Sequence, residues 1–365
     1  MPVGFFGFIT VFGLSVVLTF CFRIAAVRYG LVDTPDARKL HDGRVPLCGG
    51  IAMFSAFAVA ATIIGVISAV PWNLAVALLL LTLCGAADDR WRLPVLPRLL
   101  VHFIAAIMVV VPAIALGINF GSFLHLSDPA LLPVALVVST LLVVGLINAT
   151  NMTDGADGLC GGWGAGALFW LAILAQGTGQ ARLASVSLLL LAAVVGFLAF
   201  NMRHPWRSRA SVFMGDAGSI ALGGALGFLV ITLAAGPHGI PLPFLAWIVV
   251  VPMTDMASLV IRRLLARRSP MSADRWHLHH LLLDMGVPHA TAVGLLVLVS
   301  TACGAVAWAA YVLKAPDSLV AAGLAVPVIA HTAFVLVATR RVALRTPNAQ
   351  FSPSQVIKIG AGETR

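Results

Sequence analysis

Charge is scarce in this sequence. Charged residues make up 10% of the 365 residues and only 14 residues are Asp or Glu, whereas hydrophobic residues make up 60%. A water-facing surface of ordinary charge density cannot be built from this composition, which excludes a soluble globular protein. Apolar runs of about 20 residues, the length that crosses a hydrocarbon core, recur along the chain. The composition therefore predicts an all-α, polytopic integral membrane protein.

Disulfide and repeat signatures are missing as well. No C-x-x-C pair, internal repeat or low-complexity segment is visible, so we expect free thiols and a single membrane domain. The cysteines are Cys21, Cys48, Cys84, Cys160 and Cys303. We assign the membrane domain to 1–345 and a polar tail to 346–365.

The apolar runs predict about eleven transmembrane helices. They lie near 4–22, 47–68, 72–87, 99–117, 130–147, 163–180, 183–201, 219–235, 242–261, 290–312 and 319–339. The first run has no basic region or small-residue cleavage site before it, so we interpret it as a retained helix rather than a signal peptide.

Basic residues predict the orientation of these helices. Of the 23 lysines and arginines, 21 fall in alternate loops and the C-terminal tail, which leaves Arg182 and Lys314 for the other face. Short basic loops stay in the cytoplasm, so the N-terminus is expected outside and the C-terminus inside. The net charge of +9 suits anionic lipid headgroups and anionic substrates, and nothing suggests nucleic acid.

Most of the few carboxylates are concentrated in the polar stretches between the apolar runs. They are Asp33, Asp36, Asp42, Asp88, Asp89, Asp154, Asp157, Asp216, Asp274 and Asp284. The densest stretch, 148–159, contains no lysine or arginine to neutralise Asp154 and Asp157, which would share a face on a helical turn. This placement predicts an enzyme site with a bound cation on one membrane face. Basic, aromatic and amide residues described below are expected to belong to the same site.

The adjacent pair Asp88 and Asp89 ends the third predicted span. Like charges side by side suit a metal site or a base of raised pKa. The alternative is a solvated helix end with Arg90 and Arg92 as counter-ions. The glycine-rich entrance around Asp216 opens the eighth span, where backbone amides suit an anion and the carboxylate suits a metal. Its alternative is an Asp N-cap beside small packing residues.

Two basic stretches complete the set. Arg38, Lys39 and His41 precede the second span and suit a phosphate, or alternatively anchor the helix on the inner face. His277, His279 and His280 follow the ninth span and supply donors near pH 7. Zinc is possible at these histidines, but the surrounding oxygen ligands favour Mg²⁺.

Three further titratable groups lie in predicted spans. Asp255 is a functional group or the partner of Arg262 or Arg263, and these two interpretations stay open. We expect His102 and His331 to be packing residues.

Taken together, the motifs resemble those of the bacterial polyprenyl-phosphate N-acetylhexosamine-1-phosphate transferases, over nearly the whole chain and in the same order. The matching residues are Arg38-Lys39-x-His41 with Pro46-x-x-Gly49-Gly50, Asp88-Asp89-Arg90, Asn148-x-x-Asn151-Met-x-Asp154-Gly-x-Asp157-Gly-Leu159, Phe213-Met-Gly-Asp216-Ala-Gly218-Ser219 and His277-Leu-His279-His280. One departure is Arg98, which stands where many relatives carry lysine.

The resemblance implies transfer of N-acetylglucosamine 1-phosphate from UDP-N-acetylglucosamine to undecaprenyl phosphate, with Mg²⁺ (or Mn²⁺) and release of UMP. Such a protein lies in the bacterial inner membrane, with its site at the cytoplasmic face of the lipid bilayer, and starts an O-antigen or related envelope glycan. A homodimer is possible. The alternatives are the muramyl-pentapeptide-phosphate transferase, another UDP-N-acetylhexosamine as donor, and, from another class, a secondary transporter.

The same resemblance implies roles for individual residues. The implied catalytic groups are Asp88, Asp89, Asp154, Asp157, His277, His279 and His280, the substrate-binding residues are Arg38, Lys39, His41, Asn151, Phe213, Arg262 and Arg263, and the metal ligands are Asp216 and Asp154. Among these, Phe213 would stack on uracil and Asp88 would manage the lipid phosphate.

Overall fold

The structure, a computed structural model, describes residues 4–34, 43–65, 70–122, 129–270 and 276–345, with side chains to 341. Its helices are α1 Phe5–Tyr29, α2 Gly49–Ile63, α3 Trp72–Trp91, α4 Val95–Leu116, α5 Leu132–Thr153, α6 Leu159–Gly177, α7 Ala181–Asn201, α8 Asp216–Leu233, α9 Leu242–Leu265, α10 Leu278–Asp284, α11 His289–Val312, α12 Asp317–Gly323 and α13 Ala325–Arg345. A short antiparallel pair joins β1 Val32–Asp33 to β2 Val45–Pro46.

Ten helices in the described part of the chain are long and apolar enough to cross a membrane, which confirms the all-α multi-pass prediction. The predicted second span is the exception, because α2 has only 15 residues. The last span consists of α12 and α13 in succession. Many large apolar side chains on the outer helices are exposed, as expected for surfaces that face lipid. All five cysteines are free, as predicted.

Helix α8 is the centre of the bundle. Nearly every residue in it is buried, and it packs against α3 and α5 most extensively and against α2 and α4 as well. Small residues make this possible, because a Cβ at Gly50 would overlap with the backbone of Gly218 and a Cβ at Gly224 with the Leu81 side chain. The first turn of α8 is therefore fixed by close contact with its neighbours.

Backbone hydrogen bonds also fix the entrance to α8. Phe213 N–H donates to the Pro46 carbonyl at 2.9 Å, and the amides of Gly49 and Gly50 donate to the carbonyls of Phe213 and Met214 at 3.0 and 2.9 Å. The first and fourth sequence motifs are thus joined into one structure. Because successive helices alternate in direction, the ends of α3, α5, α7 and α9 and the starts of α2, α4, α6 and α8 meet at one end of the bundle, called here the site end.

Candidate active site

Asp89 occupies the N-terminus of α8. Its Oδ1 accepts from the Asp216 N–H at 2.9 Å, and its Oδ2 accepts from the Ala217 N–H at 3.1 Å. The first amides of a helix are unsatisfied donors with a partial positive charge, so a carboxylate is a favourable partner. The anion that the sequence predicted at this helix end is therefore a side chain of the same protein. Asp216 itself is the first residue of α8, and Gly215 is the N-cap.

This contact predicts a stability effect. Replacement of Asp89 by Ala leaves two buried helix amides without their carboxylate and should lower the free energy of unfolding by about 1–2 kcal/mol. The measurement is the shift in apparent melting temperature of the purified protein in detergent. Arg90→Ala is the matched control, because Arg90 is the next residue and is exposed. Equal shifts for the two variants would contradict the capping role.

Asp88, Asp216 and Arg98 form the charged centre of the site end. The Arg98 guanidinium pairs with the buried Asp88 carboxylate, and its Nη1 lies 3.8 Å from Asp216 Oδ2. Asp88 Oδ1 also accepts from the Leu93 N–H at 2.7 Å. The solvated-helix-end alternative is therefore wrong for Asp88, whose counter-ion is Arg98 from α4 and which lies next to the Asp216 carboxylate. Two adjacent carboxylates with one arginine leave the cluster suited to a further cation.

Asn151 connects α5 to this centre. Its Nδ2 donates to Asp216 Oδ1 at 2.7 Å and lies 3.0 Å from Ser219 Oγ. Ser219 Oγ in turn lies 3.1 Å from the Gly215 carbonyl, which it can donate to. The third and fourth motifs thus meet through side chains, and the amide fixes one oxygen of Asp216 while the other faces Arg98.

The segment after Thr153 is a turn rather than a helix. Helix α5 ends at Thr153, so the expectation of a shared helical face for Asp154 and Asp157 is wrong. The absence of a basic partner is also corrected, because Arg203 Nε lies 2.7 Å from Asp157 Oδ2, which the Ala210 N–H contacts at 3.0 Å. Asp157 therefore holds the loop after α7 in place.

Asp154 lies in a different environment from Asp157. Desolvation, together with the nearby carboxylates of Asp89 and Asp157, raises the pKa of the Asp154 carboxyl to about 7. A carboxyl group of raised pKa close to other acids is a candidate for proton exchange or for cation binding. The role of Asp154 in catalysis or metal binding stays a prediction.

The histidines form a stack on the other side of the turn. The His277 and His279 rings are nearly parallel with centroids 5.5 Å apart, and the His280 ring centroid lies 4.1 Å from that of His279. Desolvation lowers the pKa of His279 well below its usual value, and the neighbouring His280 and His277 add to this. His279 packs against Gly155, where a side chain would overlap with its ring. The stack therefore contacts the turn that carries Asp154.

Comparison with known proteins gives the family. Residues 71–234 match the model of glycosyl transferase family 4. The undecaprenyl-phosphate alpha-N-acetylglucosaminyl 1-phosphate transferase of Yersinia pestis is 35% identical over 296 residues, which cover 80% of each chain. Its counterpart in Escherichia coli K12 is 32% identical over 296 residues, or 80% of this chain and 79% of the relative. A probable undecaprenyl-phosphate N-acetylglucosaminyl 1-phosphate transferase of Bacillus subtilis is 31% identical over 279 residues, 75% of each chain.

The chain belongs to the polyprenyl-phosphate N-acetylhexosamine-1-phosphate transferases. This membership makes the protein an enzyme and excludes the secondary-transporter interpretation. The transferase carries its described motif residues at one end of a multi-pass helical bundle. Residues 71–234, where the family model matches, include the acid cluster, the Asn151 contact and the first turns of α8.

Asp255 of the transferase has different partners from those considered above. Its carboxylate contacts His277 and His331, so the proposed pairing with Arg262 or Arg263 is wrong, and so is the expectation that His331 only packs. His102 is buried as a packing residue would be, and its Nδ1 also lies 3.4 Å from Asn148 Nδ2. No spacing rule signals these contacts, because the partners lie on separate helices.

Besides Asn151, three predicted substrate-binding residues lie in the described part of the transferase: Phe213, Arg262 and Arg263. Arg262 Nη2 donates to the Trp276 carbonyl at 2.8 Å, and Arg263 Nη1 donates to the Pro270 carbonyl at 2.6 Å. The two arginines thus support the loop between α9 and α10. Phe213 lies at the entrance to α8 and is half-buried. The other predicted substrate-binding residues, Arg38, Lys39 and His41, lie outside the described residues.

The carboxylates that could hold a metal ion are those of Asp216, Asp88 and Asp154. In the parts of the chain that the structure covers, no group of three His, Cys, Asp or Glu side chains is arranged as a preformed metal site. Mg²⁺ usually takes one or two protein carboxylates and completes its octahedron with water and substrate phosphates. Asp216, with the Asp88 carboxylate beside it, fits that kind of site better than an all-protein cage, and Asp154 as a second metal ligand stays a prediction.

Proposed function

We propose that this protein transfers N-acetylglucosamine 1-phosphate from UDP-N-acetylglucosamine to undecaprenyl phosphate and releases UMP. The names of the relatives given above support the acceptor, undecaprenyl phosphate, and the transferred group, N-acetylglucosamine 1-phosphate. The observation that carries the proposal is the contact of Asp88 with Asp216 and Arg98, because it joins acids from α3 and α8 to a cation at one membrane face. The transfer is a first membrane step of an envelope glycan.

Charge is the central obstacle in this reaction. The lipid phosphate and the UDP-sugar are both anions, so a site that joins them must neutralise charge before the phosphorus can be approached. Arg98 supplies one fixed positive charge, and the histidine stack supplies neutral or cationic donors near Asp154. Mg²⁺ held by Asp216 would neutralise the donor pyrophosphate when bound.

Other residues of the site position Asp216 and contact the two substrates. Asn151 holds Asp216 in one orientation, and Asp89 fixes the first turn of α8 on which Asp216 stands. Phe213, at the entrance to the same helix, presents an aromatic ring for the uracil base. Arg98, beside Asp88, would hold the lipid phosphate, and Asp88 would position it or take a residual proton from it.

A soluble nucleotide donor and a lipid acceptor meet at the inner leaflet. The partition of basic residues supports a cytoplasmic site end in the bacterial inner membrane, with the N-terminus outside. Arg98, Arg203, Arg262 and Arg263 all lie at or next to the site end, which is the end that we propose is cytoplasmic.

A panel of donors tests this function. Purified protein in nanodiscs with undecaprenyl phosphate and Mg²⁺ should release UMP from UDP-N-acetylglucosamine at least about tenfold faster than from UDP-glucose, because buried polar groups reject a substrate that leaves them unpaired. UDP-N-acetylgalactosamine and UDP-N-acetylmuramoyl-pentapeptide complete the panel. Fastest turnover of the pentapeptide donor would instead support the muramyl-pentapeptide-phosphate transferase, and absence of turnover with every donor would overturn the proposal.

A further inference from the structure

Asp255 connects three helices inside the bundle. Its Oδ2 lies 3.0 Å from His277 Nδ1, and its Oδ1 lies 3.2 Å from His331 Nε2 and 3.3 Å from the Leu278 N–H. These contacts join α9 to the start of α10 and to α13. All three side chains are buried, with 8% of each residue exposed.

The chemistry of a carboxylate defines these hydrogen bonds. A carboxylate only accepts, so the facing nitrogen of each imidazole carries the proton. His277 is thus held with its proton on Nδ1 and its ring fixed in orientation, and His331 donates from the opposite side. An ionisable group in a membrane helix is costly and is found where it is paired or functional. The pairing of Asp255 with two histidines of different helices satisfies this condition.

The orientation of His277 extends to the acid turn. Its ring is nearly parallel to that of His279, and His279 lies against Gly155, one residue after Asp154. A displacement of the His277 ring would therefore move the ring that packs on this turn. The path runs from His331 through Asp255 to the histidine stack.

The geometry points to Asp255 and His331 as positioning residues for the transfer reaction, because they hold the His277 and His279 rings against the Asp154 turn. This inference rests on the proposed function for its assay. Neither residue touches the substrate in this role, so both act through the histidine stack. For histidines that bind a metal, removal of such a hydrogen-bond partner typically lowers metal affinity or activity by about 10- to 100-fold, and we expect an effect of that order here.

The decisive variants are at His331. His331→Phe keeps a ring but removes the donor to Asp255 and is expected to lower kcat on the order of 10-fold. His331→Gln places an amide nitrogen near the former Nε2 and is expected to recover most of that loss. Thr332→Val is the matched control on the same helix, because Thr332 is exposed and its hydroxyl donates to the Val328 carbonyl. Its turnover should equal that of the wild type.

Turnover must be expressed per folded protein. Calorimetric titration with UDP-N-acetylglucosamine gives the number of binding-competent sites in each preparation, and the maximal rate divided by that number gives kcat per site. A positioning role lowers kcat per site with KM nearly unchanged, whereas a structural role lowers the number of sites and leaves kcat per site unchanged. In the double variant with Asp255→Asn, the second substitution should add little, because the two residues act as a unit.

The results separate this inference from the proposed function. Wild-type protein that fails to transfer the sugar phosphate contradicts the proposed function itself. Active wild type with unchanged kcat per site in His331→Phe, or with equal loss in the Phe and Gln variants, overturns the positioning role. Additive losses for His331→Phe and Asp255→Asn would overturn the shared path.

Discussion

Asp216→Asn is expected to lower transfer by about 10³-fold, the upper range for loss of one preorganised electrostatic group in an active site. The substitution removes a carboxylate charge that faces Arg98 and Asp88, while the new amide oxygen can still accept the hydrogen bond from Asn151. Because it also removes one of two adjacent like charges, the fold should be retained or slightly stabilised. The expected result is a protein with a normal elution profile and normal melting temperature that is inactive across a Mg²⁺ titration.

The control for this variant is Asp317→Asn. Asp317 begins α12 at the opposite end of the bundle, where its two oxygens accept from the Ser122 backbone and hydroxyl, each at 2.5 Å. One amide oxygen keeps part of this contact, so activity should stay within about twofold of the wild type. Wild-type turnover by Asp216→Asn would remove Asp216 from the site, and equal losses in both variants would indicate a general effect of the substitution.

The helical part of the fold could be predicted from the sequence because apolar length and basic-residue position are local signals. Helix α8 illustrates this, because the predicted span 219–235 agrees within a few residues with the observed helix Asp216–Leu233. The predicted second span was less accurate. Its described helix ends at Ile63, although the apolar run continues beyond that residue. Apolar character alone does not mark where a helix ends.

The candidate site was predicted as a set of motifs, but not as a set of contacts. Asp89 was grouped with Asp88 because the two are adjacent, whereas the helix places one beside Arg98 and the other on the amides of α8. Adjacent helix residues point in directions about 100° apart, and only the neighbouring helices decide what each one meets. Sequence position alone therefore could not separate a structural acid from a candidate catalytic one.

Long-range pairs explain the remaining differences. Arg203 follows Asp157 by 46 residues, and His331 follows Asp255 by 76, so no local period relates either pair. The sequence signals for these pairs are weaker than a local period. An ionisable group inside an apolar run, such as Asp255 or His331, predicts a partner without identifying it.

The reaction itself should proceed by one direct displacement, so labelled UMP should not exchange into UDP-N-acetylglucosamine in protein stripped of polyprenyl phosphate. In this scheme a lipid phosphate oxygen forms a bond to the sugar-bearing phosphorus, while the bond from that phosphorus to the UMP oxygen breaks. A phosphate monoester has a second pKa of about 6, so the lipid phosphate is largely a dianion at neutral pH and needs little activation. Arg98, beside Asp88, is placed to offset that charge rather than to expose a nucleophilic aspartate.

The competing scheme makes Asp88 or Asp89 the nucleophile and forms a phospho-sugar enzyme first. Asp89 is a poor candidate, because both of its oxygens already accept helix amides, and Asp88 is held by Arg98 and the Leu93 amide. Only a covalent enzyme allows UMP exchange without an acceptor, so the exchange rate in stripped protein separates the two schemes. Restoration of transfer by added undecaprenyl phosphate shows that the stripped protein is competent. Exchange as fast as turnover would contradict direct displacement, and its absence in a competent preparation leaves both aspartates as positioning or proton-handling groups.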